Sequence, residues 1–305
     1  MSKQTRRQFI KAVASMAASA SALSAIDAEG LSERYAQLVR AERALLSYWR
    51  MEGDLKDEKG AAHGKLLGGR ARFTSGVAGG KALALDEGYF VTMGKAPHLD
   101  VPETTIELFF KITAPPSRRY NPCIIAKRLT SPKTRFSIHV MRDLSRLAVW
   151  NGRAVGLVEL PFGELRIGEW HHLVVSSTPH ELNVYIDGVR CTVIGGAPFT
   201  IAAEGLPLQI GASSPRGAEQ CVCAIDEVAI YGRVLTERDI ARHLKAIGWA
   251  ERREELLRER KRQWRVWLRE QEQMLKRRMS DPQLLARGET RIYRGEYLTG
   301  ISFPI

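Results

Sequence analysis

Residues 168–189, GEWHHLVVSSTPHELNVYIDGV, leave this chain few architectures to choose from. Residues 170–176 suit a pleated surface, with Leu173 and Val175 on one face. Thr178-Pro179-His180-Glu181 turns the chain, because Pro179 has no N–H to donate and a fixed φ. Leu182, Val184 and Ile186 then alternate with Asn183, Tyr185 and Asp187, the period of a half-buried strand. Asp187-Gly188 ends that strand with a dipeptide that accepts the positive φ of a tight hairpin.

The rest of the chain repeats the pattern. Residues 31–43 show Leu31, Tyr35, Leu38 and Val39 at helical spacing, and residues 45–51, LLSYWRM, then turn to β-type residues. Gly64, Gly68, Gly69, Gly76, Gly79 and Gly80 mark turns and bulges between short strands. Strand-like runs follow at 82–86, 89–93, 104–111, 123–127, 135–141, 147–150 and 155–160, with Asn151-Gly152 as a hairpin turn. Residues 208–211 and 224–231 supply two more. Closely spaced strands with no helix between them predict a sandwich or barrel.

Gly168-x-Trp170-His171-His172, followed by Leu182-x-Val184-Tyr185-Ile186-Asp187-Gly188, resembles the laminin-G-like jelly rolls of the concanavalin-type lectin and glucanase group. A short helix entering a Tyr48-Trp49-Arg50 strand and the Asp57-Glu58-Lys59-Gly60 loop resemble the entry to such domains. Residues 233–240 resemble their closing segment, where Thr236 would cap a short helix ending near Gly248. The resemblance is co-linear from Leu46 to about Gly248. It implies an all-β, concanavalin-like jelly-roll sandwich of two antiparallel sheets over residues 29–250; beyond it, the charge and apolar spacing of the residues themselves predict a long charged C-terminal α-helix over 251–281.

The net charge of +12 suggests nucleic acid until it is located. Lys3, Arg6, Arg7 and Lys11 contribute four charges, residues 251–279 a net five, and residues 280–305 none, which leaves +3 for the body. A nearly neutral body argues against dedicated nucleic-acid binding, and no apolar run is long enough to span a membrane. Thr5-Arg6-Arg7-Gln8-Phe9-Ile10-Lys11 resembles the twin-arginine export signal, followed by a short, Ser-rich apolar stretch over 12–25 and small residues at Ala20-Ser21-Ala22 and Ala22-Leu23-Ser24 for cleavage. Residues 1–28 are therefore read as a signal peptide, and the protein as exported, periplasmic or extracellular.

Residues 251–279 place Leu257, Trp264, Leu268 and Leu275 on a thin apolar stripe, with Lys261 and Gln271 interrupting coiled-coil heptads. A solvated linking helix and a helix that binds a protein partner both fit. In the tail, 282–305, Gly295-Glu296-Tyr297-Leu298 and Phe303-Pro304-Ile305 resemble the start of the catalytic region of glucosylceramidase-like hydrolases, which implies a domain that begins here and continues elsewhere.

The chemistry expected of the body is binding. Glucanases of this sandwich use carboxylates in the order Glu-x-Asp-x-x-Glu along one strand, two of them flanking the glycosidic bond. The nearest strand, Ala224-Ile225-Asp226-Glu227-Val228, offers Ala224 and Val228 on the face of Asp226, and its alternation sends Glu227 to the other face. His171 and His172 face opposite sides and cannot chelate one ion, so they read as a packed or hydrogen-bonded pair. The resemblance implies a structural Ca²⁺ where the N-terminal loop meets the closing strand, with Asp57 and Asp226 as ligands; Asp226 could equally fix Arg233 or a backbone turn. For sugar, Trp150-Asn151 at a hairpin tip and Arg119-Tyr120 in the long loop are the candidates, while Trp49 and Trp170 read as core. With export expected, Cys123, Cys191, Cys221 and Cys223 favour at least one disulfide over free thiols or a zinc site. The expected function is an exported, non-catalytic module for a glycan or cell-surface ligand. The alternatives are an accessory module of a larger glycoside hydrolase and a scaffolding protein.

Overall fold

The computed structural model describes residues 25–199 and 205–280. The signal peptide expected over 1–28 falls almost wholly outside the described residues, and the tail over 282–305 lies outside them. The chain divides into two compact units, one through Ile247 and one from Gly248.

The first unit opens with α1 (Ala25–Ala41) and β1 (Leu45–Trp49), then β2 (Lys65–Leu67), β3 (Arg72–Ser75), β4 (Lys81–Leu85) and β5 (Phe90–Thr92). A 3₁₀ turn at Pro97–Leu99 precedes β6 (Thr104–Ile112), β7 (Cys123–Arg128), β8 (Thr134–Val140), β9 (Arg146–Trp150) and β10 (Val155–Glu159). The chain continues with β11 (His171–Ser177), β12 (Leu182–Ile186), β13 (Val189–Arg190), β14 (Val193–Gly195), β15 (Leu208–Ile210), β16 (Cys223–Tyr231) and α2 (Glu237–Ala246). Sheet I runs β13-β12-β11-β6-β16-β4-β3, with β1 also paired to β16, and sheet II runs β14-β10-β9-β8-β7-β15-β5-β2. All pairings are antiparallel. The expected jelly-roll sandwich of two antiparallel sheets is what forms.

The core lies between the sheets, where alternate residues of each strand meet. Ile106, Leu108, Phe110 and Ile112 of β6 face Phe136, Ile138 and Val140 of β8 and Leu147 and Val149 of β9, all almost fully buried. Trp49 joins them and donates its indole N–H to the Ala62 carbonyl at 2.8 Å. The organising hairpin forms as its residues dictate, with Asp187 at φ +53° and Gly188 at +81° in its turn. Thr236 caps α2, its hydroxyl accepting from the Asp239 N–H while the Asp239 carboxylate accepts from Thr236.

The short edge strands β2, β3, β13 and β14 carry too few residues to show a period, and sequence reasoning passed over them. The second unit contains α3 (Trp249–Ser280). The side chains of Leu257, Trp264, Leu268 and Leu275, on which the apolar stripe rested, are outside the described residues. No described helix is long and apolar enough to cross a membrane.

Candidate functional site

The outer face of sheet I is closed. Tyr35, Ala36 and Val39 of α1 are fully buried, with the Tyr35 ring 5.5 Å from Phe109 of β6 and 5.8 Å from His243 of α2. Beneath the helices Glu107 accepts from Tyr231 Oη at 2.7 Å and lies 2.8 Å from His172 Nε2 and 3.0 Å from His243 Nδ1. His243 Nε2 lies 3.3 Å from Glu42, which Arg233 and Arg242 also pair with. Burial would raise the Glu107 carboxyl, but His243 and His172 outweigh it and hold the group well below the usual carboxylate range. Such a network ties helices to a sheet; it offers no surface.

The same face corrects one reading of the closing strand. Register shifts between Asp226 and Ala229, and Glu227 sits at φ +50°, so Glu227 is the extra residue of a β-bulge. Ile225 and Val228 both face the core, and Asp226 and Glu227 therefore stand together on the outer side instead of on opposite faces. Tyr48 donates a short hydrogen bond to Glu227, with Arg50 Nε 3.8 Å away. Asp226 Oδ2 accepts from the Val77 N–H at 2.9 Å, while Arg233 pairs with Glu42 and Asp239. Asp226 thus fixes a backbone turn and not Arg233. A Cβ at Gly76 would lie 2.7 Å from that oxygen, so only glycine lets the turn close here.

Burial raises the Asp226 carboxyl to about 8, with Glu52 adding to the shift, and burial together with Asp226 pushes Glu227 up as well. A carboxyl whose folded pKa lies above its unfolded one stabilises the fold below about pH 4 and loses that contribution as pH rises through 8. Asp226→Asn is therefore expected to raise the melting temperature at pH 8.5 and to leave it little changed at pH 4. Equal pH profiles for variant and wild type would refute this.

Asp57 and Asp226, the expected ion ligands, each have hydrogen-bond partners in a loop of their own. Asp57 is buried and its carboxylate already accepts from the N–H groups of Tyr48, Lys59, Gly60 and Ala62 at 3.0–3.3 Å and from Ser47 Oγ at 2.7 Å. Five donors use up the lone pairs of one carboxylate, and Asp226 serves a different turn. No group of three or more His, Cys, Asp or Glu suited to a metal occurs among the described residues. Ser47 also contacts His98 Nε2 at 2.8 Å, but it is fully buried and binds the carboxylate itself, the wrong order for a nucleophile.

The histidine pair behaves as its alternation requires. His171 turns inward, 3.0 Å from Asp187 and stacked on Phe162, while His172 turns outward to Glu107. The four cysteines are unpaired in this structure, with Cys123, Cys221 and Cys223 buried. Cys221 and Cys223 sit two residues apart, and the half-exposed Cys191 donates to the Val189 carbonyl. Trp170 is only half-buried, under the Lys111 ammonium at 4.7 Å, and so is not core.

The outer face of sheet II is accessible at its Trp150 end, while Ser137, His139, Ala126 and Gln209 further along it are buried. Trp150 is half-buried there, opposite Val155, and Ala148 pairs with Leu157, which pairs with Ile194. Val155 is 43% and Ile194 49% exposed, so Trp150 opens onto an apolar platform and not into the core. Register extends the face across the strands as Trp150–Ser137–Ala126–Gln209–Thr92, with His139 beside Ser137 at 2.9 Å.

Of the other expected ligand residues, Asn151 is buried and belongs to the turn. Its amide donates to the Pro198 carbonyl at 2.8 Å, and its Oδ1 accepts from the N–H groups of Arg153 and Ala154. Arg119 is exposed and Tyr120 half-buried, in the loop that Asn121 joins to His139 and Arg142. That loop lies at the Val140 end of β8 and the Asn151 turn at the Thr134 end, about 20 Å apart along a seven-residue strand. A single sugar ring cannot reach both. Ser137, His139, Leu157, Ile194 and Gln209 were missed because only cross-strand register puts them beside Trp150.

Residues 86–241 match the concanavalin A-like lectin/glucanases superfamily, and the chain belongs to it. Domain 4 of an extracellular GH43 arabinanase from Geobacillus stearothermophilus, in complex with arabinotriose, is 18% identical over 65% of this chain and 97% of its own, with a TM-score of 0.52. A Trypanosoma rangeli sialidase mutant displaying trans-sialidase activity is 16% identical, at a TM-score of 0.48, over 65% of this chain and 32% of its own. The binding domain of botulinum neurotoxin DC, in complex with rat synaptotagmin II, is 13% identical, at 0.49, over 67% of this chain and 52% of its own. The chain thus spans about a third of the sialidase. At these identities the likeness is one of fold. No curated protein matches the sequence.

Proposed function

We propose that this chain is an exported, non-catalytic carbohydrate-binding protein that holds a saccharide on the outer face of sheet II. The observation that carries the reading is the half-buried Trp150 opening onto exposed Val155 and Ile194, on the face opposite the one that α1 and α2 cover. An indole beside apolar residues stacks on the C–H face of a sugar ring. The paired carboxylates Asp226 and Glu227 do not argue for hydrolysis, since both are buried under the helix-covered face. Trp150→Ala in the full chain is expected to weaken retention on a glycan array at least tenfold with the melting temperature unchanged within about 2 °C. Undiminished retention by the variant would overturn the site.

Export rests on the Arg6-Arg7 motif ahead of a weakly apolar stretch. Arg6→Lys with Arg7→Lys is expected to leave precursor in the cytoplasm; normal periplasmic yield of the double variant would count against it. A second reading, an accessory module of a longer glycoside hydrolase, draws on the second compact unit from Gly248 and on the Gly295–Leu298 and Phe303–Ile305 segments. Sequence downstream of Ile305 continuing into a Gly-rich turn would support it.

A further inference from the structure

A closed clasp lies across the middle of the same face. The loop after β15 returns over sheet II, so that a Cβ at Gly217 would lie 2.8 Å from the Phe90 ring on β5. Glu219, in the left-handed region at φ +53°, pairs with Arg128 Nη1 at 3.2 Å, and its own carbonyl accepts from the Cys123 N–H at 2.7 Å. Arg128 sits at one end of β7 and Cys123 at the other, so the guanidinium reaches back along the strand over Ala126. Ala126 has Gln209 on one side and Ser137 on the other, and all three are fully buried.

Gln209 stands out within this row. Neither its amide oxygen nor its amide nitrogen has a hydrogen-bond partner, although the residue is fully buried. Arg128 Nε and, beyond β15, the buried Ser213 hydroxyl are unmatched as well. Polar groups in such positions cost stability unless something meets them. This set can meet both partners of a polar ligand: the guanidinium N–H and the amide NH₂ donate, the amide oxygen accepts, and the hydroxyl does either. Elsewhere on the face Arg146 and Glu159 stand opposite one another in the register of β9 and β10 and balance in charge. Arg128 is the charge that opening the clasp would leave uncompensated, because Glu219, 34% exposed against 16% for Arg128, can move out into water.

Resting on the proposed sugar-binding reading, the geometry points to an anionic saccharide as its ligand class. A carboxylate or sulfate of the sugar replaces Glu219 on Arg128, neighbouring hydroxyls meet the Gln209 amide, and a further ring of the same chain stacks on Trp150. Gln209 and Trp150 lie three strand spacings apart, about 14 Å, which suits a short oligosaccharide crossing the strands and not a monosaccharide. The guanidinium fork is the group that recognises such an anion bidentately.

The test is an array carrying carboxylated, sulfated and neutral forms of the same oligosaccharide backbones, probed with the full chain at about 0.15 M salt, where long-range attraction to the basic chain is screened. Acidic forms are expected to be retained at least tenfold better than their neutral parents, and the carboxylated and sulfated arms tell which anion is preferred. Arg128→Gln should erase that preference, whereas Arg166→Gln, an equal loss of charge at an exposed site, should keep it. Glu219→Gln, which removes the competing carboxylate, should tighten binding of the acidic forms severalfold and gives an answer even if Arg128→Gln folds poorly. Retention of neutral forms alone, or an acidic preference that survives Arg128→Gln and is unmoved by Glu219→Gln, overturns this inference while leaving the Trp150 site standing. Retention of no saccharide overturns both.

Discussion

Glu107→Ala is expected to lower stability at pH 7 by about 3–5 kcal/mol, the cost of removing one partner from a buried ionic cluster, or roughly 10 °C in melting temperature. Glu107 is fully buried and lies against His172, His243 and Tyr231, which belong to β11, α2 and β16. The variant would leave all three without their acceptor. The pH dependence has a definite sign. The Glu107 carboxyl is held below its ordinary value by the two imidazoles against the opposing effect of burial. Its contribution is therefore complete above about pH 4.3, the ordinary glutamate value, and is lost as pH falls toward the folded pKa. Wild type and variant should differ most near neutrality and converge in acid. Thermal melts between pH 3 and pH 8 decide it, and equal melting temperatures at pH 7 would show that the network does not hold α2 to sheet I.

Asp57→Ala is expected to cost about 3–4 kcal/mol, because it strands the buried N–H groups of Tyr48 and Ala62, the part-buried ones of Lys59 and Gly60, and the Ser47 hydroxyl together. The loop has no slack to compensate: a Cβ at Gly60 would already lie 2.6 Å from Asp57 Oδ2 and 3.2 Å from the Leu46 carbonyl. Asp57→Asn should recover part of the loss, since an amide oxygen still accepts while its NH₂ faces donors. If the carboxylate serves the loop and not an ion, melts of the wild type should coincide in calcium and in excess chelator. A chelator-sensitive wild type, with the sensitivity abolished in Asp57→Ala, would restore the calcium site that the family resemblance implied.

These two residues show what one chain of letters can convey. Asp57 announced itself through its Asp-Glu-Lys-Gly loop, but a carboxylate that organises a turn and one that binds calcium look alike until its donors are counted. Glu107 gave no signal at all, being one charged residue in the alternation of β6. The bulge at Glu227 defeats period-2 reasoning, because alternation assumes that no residue is inserted. Trp150 was legible as an aromatic beside a turn, whereas Gln209 lies in a three-residue strand whose only distinction is its neighbours.

What the sequence determined by itself was the sandwich. Apolar alternation, the Asp187-Gly188 turn and the Thr236 cap are local, and each residue's preference is satisfied within a few positions of itself. Tertiary structure decided which outer face the two helices cover. Helix α1 and helix α2 come from opposite ends of the first unit, and they meet over sheet I because Tyr35, His243 and Glu107 complete one another there. On the outer face of sheet II, the row from Trp150 to Gln209 is assembled from four strands by cross-strand register. That register is set by the packing of the whole core, which no single segment contains.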